Sequence, residues 1–332
     1  MGGSDSGEAM TLSNMILVFG SPRSGTTWLG KIFDSHPETL YRHEPDSVER
    51  ATHIPLLVPP ERIDTLRDEA LDYVTRISAI RTSKVSGKSP LFIKSYNTKL
   101  TLYVKKMMII RAKLMERLGA SASIPDLIGR GNDRKIRLVW KSIESVGRLG
   151  LFARALPGCR AILILRHPCG HIASILRGET LGGFQSRDPA SEDYGILELL
   201  LATELARSRN LDMAAFRAMS PVERLAWRWM LFNEKAMADT AMLENFCTIR
   251  YEDLCADPEA VGRSLFNFAG LSWNKQTRDF IRMSTERDSA SYHSMFKNPA
   301  RSVSKWRDEL SRTDIESICN VTRNSLPGRL FL

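Results

Sequence analysis

The five cysteines of this 332-residue chain, Cys159, Cys169, Cys247, Cys255 and Cys319, are odd in number and contain no C-x-x-C pair. That excludes a zinc cluster of ordinary spacing and offers no disulfide framework, so a reduced, cytoplasmic setting fits best. Long apolar runs are missing too. The longest, Ala161 to Leu165 and Met107 to Ile110, fall far short of the ~20 residues that cross a bilayer, so no membrane segment is expected in this chain. The opening MGGSDSGEAM lacks the basic stretch of a secretory signal. A Golgi lumenal protein freed of its anchor would read the same way, and the sequon Asn320-Val321-Thr322 is too common a pattern to decide it.

There is no internal repeat and no low-complexity tract, and with 43% hydrophobic and 26% charged residues the chain has a globular composition. Acid is in short supply. Asp and Glu number 38 against 47 Lys and Arg, a net charge of +9, which favours an anionic partner: nucleic acid, acidic lipid, polyanionic glycan or phosphate-rich nucleotide. The shortage is most uneven between Arg81 and Lys113, where nine basic residues, among them Lys88, Lys94, Lys99, Lys105, Lys106 and Arg111, precede the first acid, Glu116. A solvated helix face and the wall of an anion-binding cleft both account for it.

What is present is organised as strand, loop, helix. Met15 to Phe19 is a short apolar run halted by Gly20-Ser21-Pro22, the pattern of a buried strand entering a tight loop. From Thr26 the spacing of Trp28, Leu29, Ile32 and Phe33 predicts a helix that His36-Pro37 stops. The same order recurs at Ile136 to Trp140 before a helical Val146 to Ala155, and at Ala161 to Leu165 before a helix opening near Pro168. A last strand, Phe246 to Arg250, follows a long helical stretch from about Glu223 to Leu243. The expectation is α/β: one domain over residues 15–332 with a central parallel sheet flanked by helices, behind a flexible tail of residues 1–14.

Gly20-Ser21-Pro22-Arg23-Ser24-Gly25-Thr26-Thr27 has the G-x-x-x-x-G spacing of a Walker A loop, in which backbone N–H groups and a helix N-terminus cradle phosphate. Thr26 stands where the Walker lysine would be, and the loop's cation is Arg23, inside the turn. A kinase or NTPase needs that lysine on its leaving phosphates, which weakens such a reading, while an anion site survives the loss. Further on, a buried strand ends at Arg166 and Ser174 follows eight residues later inside a helix, so a guanidinium and a hydroxyl can converge on one phosphate.

The string SPRSGTTWL resembles the 5′-phosphosulfate-binding loop of sulfotransferases, a Walker-like loop that lacks the usual lysine and ends in Gly-Thr-Thr-Trp. AILILRHPCGHIASIL resembles the same family's 3′-phosphate motif, with His167 where an acid often stands. Arg250-Tyr251-Glu252-Asp253-Leu254 is similar to a later stretch of such domains, and RSVSKWRDELSRTDIESIC to the C-terminal region of carbohydrate sulfotransferases, where a basic loop with a tryptophan closes over the nucleotide. The Arg-Lys-Gly loop of cytosolic members is absent.

The resemblance implies an enzyme that transfers a sulfuryl group from 3′-phosphoadenosine 5′-phosphosulfate (PAPS) to a hydroxyl or amine. It places Ser21, Pro22, Arg23, Ser24, Gly25, Thr26, Thr27, Trp28, Arg166, Ser174, Tyr251, Arg301, Trp306 and Arg307 on the donor. A glutamate at about the distance of Glu44 past the loop is the base in glycan enzymes, and His43 is the rival because cytosolic members use a histidine. Pro45 is expected to hold Glu44 extended. Arg23 would stabilise charge on the leaving phosphate, and Lys141, ending a strand, is the next candidate cation, against the bland reading of a solvated lysine. No metal is called for. Neither a nucleic-acid binder nor a nucleotide-regulated module needs a base or a closing lid. An acceptor flanked by the basic stretch would be anionic, and its specificity is expected to sit in residues 55–135 and 178–219.

Overall fold

The computed structural model describes residues 12–120, 122–128, 136–156, 158–181, 189–286 and 299–332. Five strands, β1 (Ile16–Phe19), β2 (Thr39–His43), β3 (Arg137–Ser142), β4 (Arg160–Leu165) and β5 (Phe246–Arg250), form one parallel sheet in the order β2-β3-β1-β4-β5. The helices that matter here are α1 (Thr26–Asp34), α2 (Arg67–Ser78), α3 (Lys99–Arg117), α4 (Leu149–Ala155), α5 (Pro168–Thr180), α6 (Pro221–Thr240), α7 (Tyr251–Ala256), α8 (Pro258–Phe268) and α9 (Pro299–Ser304).

Alternation along β1 divides the core. Leu17 and Phe19 point to a face covered by α2 and α4, while Ile16 and Val18 point to the face covered by α1 and α8. All four are fully buried, which is why β1 reads as an unbroken apolar run. The chain leaves β1 toward β2 and leaves β4 toward β5, so the adjacent strands β1 and β4 form the switch point at whose carboxyl edge an α/β fold binds ligands.

Several boundaries differ from expectation for physical reasons. β2 was not anticipated: its fourth residue, Arg42, is buried, and its charge is met by Asp126 through bonds of 2.8 and 2.6 Å. β3 runs on to Ser142, so Lys141 lies within the strand rather than at its end. The helical Val146 to Ala155 splits into a 3-10 turn, Val146–Arg148, and α4. The long helix opens at Pro221 because Ser220 and Glu223 close a capping box around its first turn. Of the expected tail, residues 1–11 lie outside the described residues, while Leu12–Asn14 form a 3-10 turn with Leu12 against the core.

The basic stretch is divided. Lys94 is buried beside Asp34, with Nζ to Oδ1 at 3.0 Å, and burial pushes its ammonium down to about 8. Arg81 binds Asp126 at 2.9 Å, and Lys99, Lys105, Lys106, Arg111 and Lys113 fall on α3. No helix among the described residues is long and apolar enough to cross a membrane.

Candidate active site

The loop after β1 is held by its own backbone. Ser24 donates to the Ser21 carbonyl from both N (3.2 Å) and Oγ (2.7 Å). Arg23 adopts φ 70° and Gly25 φ 94°. At Gly25 the conformation and the space agree on glycine, since a Cβ there would sit 2.4 Å from the Tyr251 ring. Helical bonding in α1 begins with the Leu29 N–H on the Gly25 carbonyl at 3.1 Å, so the N–H groups of Thr26, Thr27 and Trp28 are left facing the loop as an anion cradle.

The two phosphate motifs meet at the switch point. Arg166 donates to the Arg23 carbonyl at 3.1 Å and to the Ser302 carbonyl at 2.8 Å, and its guanidinium lies 5.0 Å from the centre of the Tyr251 ring. Arg23 Nε donates to Ser174 Oγ on α5 at 3.2 Å. Residues 23, 166, 174, 251 and 302, from four parts of the sequence, thus form one basic pocket edge, and the buried Nε of Arg166 makes no hydrogen bond within it.

Other expected donor contacts are built differently. Trp28 turns its indole inward and donates to Ser284 at 2.9 Å, with Tyr251 edge-on at 6.5 Å. Trp306 is buried and stacks on His167 at 4.7 Å, Arg307 covers its ring, and Arg301 lies exposed on α9. The His167 N–H is held by Glu252 at 3.0 Å.

Glu44, Lys141 and His43 form a second group at the same sheet edge. Glu44 is not extended: it takes the left-handed conformation, φ 49° and ψ 52°, despite the proline that follows. Its N–H donates to the Lys141 carbonyl at 2.9 Å, and its carboxylate pairs with the Lys141 ammonium. These contacts offset the strain of a non-glycine residue in that region. Lys141 is 1% exposed, and burial lowers its pKa although Glu44 opposes the shift. His43 Nε2 is 3.9 Å from Glu44 and Nδ1 is 3.0 Å from the Tyr41 hydroxyl. Burial first, then Lys141, holds His43 well below the usual imidazole range.

A cleft of about 940 Å³ opens beside Ser21 and Pro22. Its apolar wall includes Leu56, Ile175, Leu225, Trp229 and Phe232, and its polar groups are Glu144, Glu179, Glu192, Asp193, Arg228 and His171. His171 is 4% exposed with a buried Nδ1 that makes no hydrogen bond, and burial pushes its pKa down to about 3. Glu144 is raised by burial and then by Asp46 and Glu44. Both segments expected to carry specificity contribute to this wall, through Leu56 and through Glu179, Pro189, Ala190 and residues 192–196. Glu144, Arg228 and Trp229 went unread in the sequence because no common spacing joins them, and His171 was read there only as a packed or solvated residue.

Carbohydrate sulfotransferase 3 of Mus musculus is 34% identical to the chain over 64 residues, a match that spans 19% of this chain but only 14% of that protein's length. In structure the chain is similar to mouse sulfotransferase SULT7A1 complexed with PAP, at 14% identity, with 96% of this chain and 88% of the other covered and a TM-score of 0.42. It is also similar to sulfotransferase STF1 from Mycobacterium tuberculosis, at 14% identity, with 91% and 78% covered and a TM-score of 0.41. A sequence model of the sulfotransferase family matches residues 15–275, from just before β1 to beyond α8; the chain, with its lysine-free loop seated at the switch point, belongs to that family.

Proposed function

We propose that this chain transfers the sulfuryl group of PAPS to a hydroxyl or amine held in the cleft beside Ser21 and Pro22. The observation that carries the reading is the junction of the two phosphate motifs, with Arg166 on the Arg23 carbonyl and Arg23 on Ser174. The loop and the first turn of α1 take the 5′-phosphosulfate, and Arg166 with Ser174 takes the 3′-phosphate. The acceptor atom attacks sulfur as the bond from sulfur to the 5′-phosphate oxygen breaks. Its proton passes to Glu44, and the desulfated product, 3′-phosphoadenosine 5′-phosphate (PAP), leaves. Lys141 and Arg23 supply positive charge for that leaving oxygen.

Titration with PAP against ATP tests the donor reading, because ATP has no 3′-phosphate. PAP is expected to bind more tightly, and Arg166→Ala to weaken it by about 1.5–3 kcal/mol, the loss of a charge-assisted hydrogen bond. Unchanged PAP affinity in that variant, or tighter binding of ATP, defeats the assignment.

The basic stretch between Arg81 and Lys113 suggested an anionic acceptor, but the cleft favours an uncharged or cationic one. Among the described residues four carboxylates and one arginine line it, the arginine faces Asp193 at 3.5 Å, and His171 is neutral there at physiological pH. An amine and a carboxylic acid built on the same aryl alcohol separate the two. The amine is expected to show at least ~10-fold higher kcat/KM, since like-charge juxtaposition costs a bound acid several kcal/mol. Preference for the acid would restore the anionic reading.

A further inference from the structure

Of the fifteen large hydrophobic side chains that stand exposed among the described residues, six lie on α3 and its C-cap: Leu100, Tyr103, Met107, Ile110, Leu114 and Leu118. Their spacing of three and four residues puts them within an arc of about 80°. The opposite side of the helix, with Ile109 and Ala112, is buried against the body of the protein. Leu100 and Leu118, at the two ends, are 71% and 74% exposed. Single exposed leucines need no explanation, but a continuous stripe five turns long marks a surface that is covered by something.

The charge around the stripe selects what covers it. Residues 81–128 carry ten bases and two acids, eight of the nine net positive charges of the whole chain. Both acids are already engaged, Glu116 with Ser83 and Asp126 with Arg42 and Arg81. Lys99, Lys106, Lys113 and Arg117 run along one margin of the stripe by helical position and Arg111 along the other. A second copy of the chain would set basic margin against basic margin in either orientation. A nucleic acid would engage the lysines and leave the leucines in water.

We propose that the outer face of α3 is a docking surface for an anionic lipid membrane. The apolar stripe enters the boundary between headgroups and acyl chains while the flanking lysines and arginines reach lipid phosphates and carboxylates, the arrangement of an interfacial amphipathic helix. Tyr103 is suited to the headgroup level. The body of the protein, packed on the buried side of α3, stays in water. This surface is separate from the transfer chemistry and does not depend on it.

The test is co-sedimentation of the full chain with phosphatidylcholine vesicles, with and without phosphatidylserine. Partitioning is expected to be at least ~10-fold stronger with phosphatidylserine and to weaken as salt is raised. The variant Leu100→Ser/Ile110→Ser/Leu114→Ser is expected to lose at least ~100-fold of that partitioning while its PAP affinity, the control for folding, is unchanged. Failure of the wild type to sediment with acidic vesicles overturns the proposal, as does sedimentation of the triple variant like wild type. Ultracentrifugation decides the remaining case: a dimer that the triple variant dissolves, without vesicle binding, assigns the stripe to a second copy and defeats the membrane assignment.

Discussion

Glu44→Gln is expected to lower turnover by roughly 10²- to 10⁴-fold, the contribution of a positioned general base, and to leave PAP affinity nearly intact. Glutamine keeps an acceptor for the buried Lys141 ammonium, so the ion pair becomes a hydrogen bond rather than an unmet charge, and folding should survive. Two neighbours compete for the role. His43 lies 3.9 Å from the carboxylate, and Glu144 lines the cleft itself, which Glu44 does not. The acid limb of a pH profile does not by itself separate histidine from carboxylate here, because His43 is held well below the ordinary imidazole range by burial and Lys141. The variants do. His43→Gln and Glu144→Gln are each expected to cost turnover less than ~10-fold, and a reversal of that order would move the base to whichever residue shows the large loss.

The second large effect is on stability. Burial pushes His171 down to about 3, and burial with Arg307 and Arg166 pushes His167 down to about 4, from a reference of 6.5. His36 and His43 are lowered as well. A depressed imidazole stays neutral in the folded chain while the unfolded chain binds a proton, so stability falls as pH falls below 6.5. For His171 and His167 together the slope approaches ~2.7 kcal/mol per pH unit, and the loss between pH 6.5 and 4.5 is about 4 kcal/mol, a large share of the 5–15 kcal/mol typical of a domain. Buried carboxylates with raised pKa, Asp46, Glu144, Asp239 and Glu252, act with the opposite sign and blunt the fall toward its acid end. Urea unfolding at pH 7, 6 and 5 measures it: the midpoint should drop steeply, and His171→Phe should flatten the drop by about half. A midpoint that stays level from pH 7 to 5 would show that these imidazoles are protonated in the folded state.

Sequence alone made β1, β3 and β4 visible, because a strand buried on both faces is an apolar run with a turn behind it; β5 was expected to be buried as well, but it is a half-buried edge strand. β2 was hidden by Arg42, whose buried charge is explained only by Asp126, 84 residues on. The loop proposed to hold phosphate was legible because its tight backbone lies in a short contiguous stretch, and glycines record it. Glu44 could be chosen but its conformation could not: Pro45 argues for an extended residue, and the hydrogen bond and ion pair to Lys141 that overrule it come from a strand nearly a hundred positions away. The cleft was illegible for the same reason. Glu144, His171, Arg228 and Trp229 are drawn from three unconnected elements, and nothing in their spacing betrays that they face one space.

The contact of Gly25 with Tyr251 and the clamp of Arg166 between Arg23 and Ser302 bear on how the protein is made. The ring that packs against Gly25 stands 226 residues beyond it, and the carbonyl that holds Arg166 stands 136 residues beyond the arginine. Contacts so distant in sequence close late, since the entropy of each long loop must be overcome first. The loop between β1 and α1 can therefore take its local shape before the pocket edge closes around it. Assembly of this pocket edge is in this sense a late event of folding, governed by its most distant contacts rather than by the loop itself.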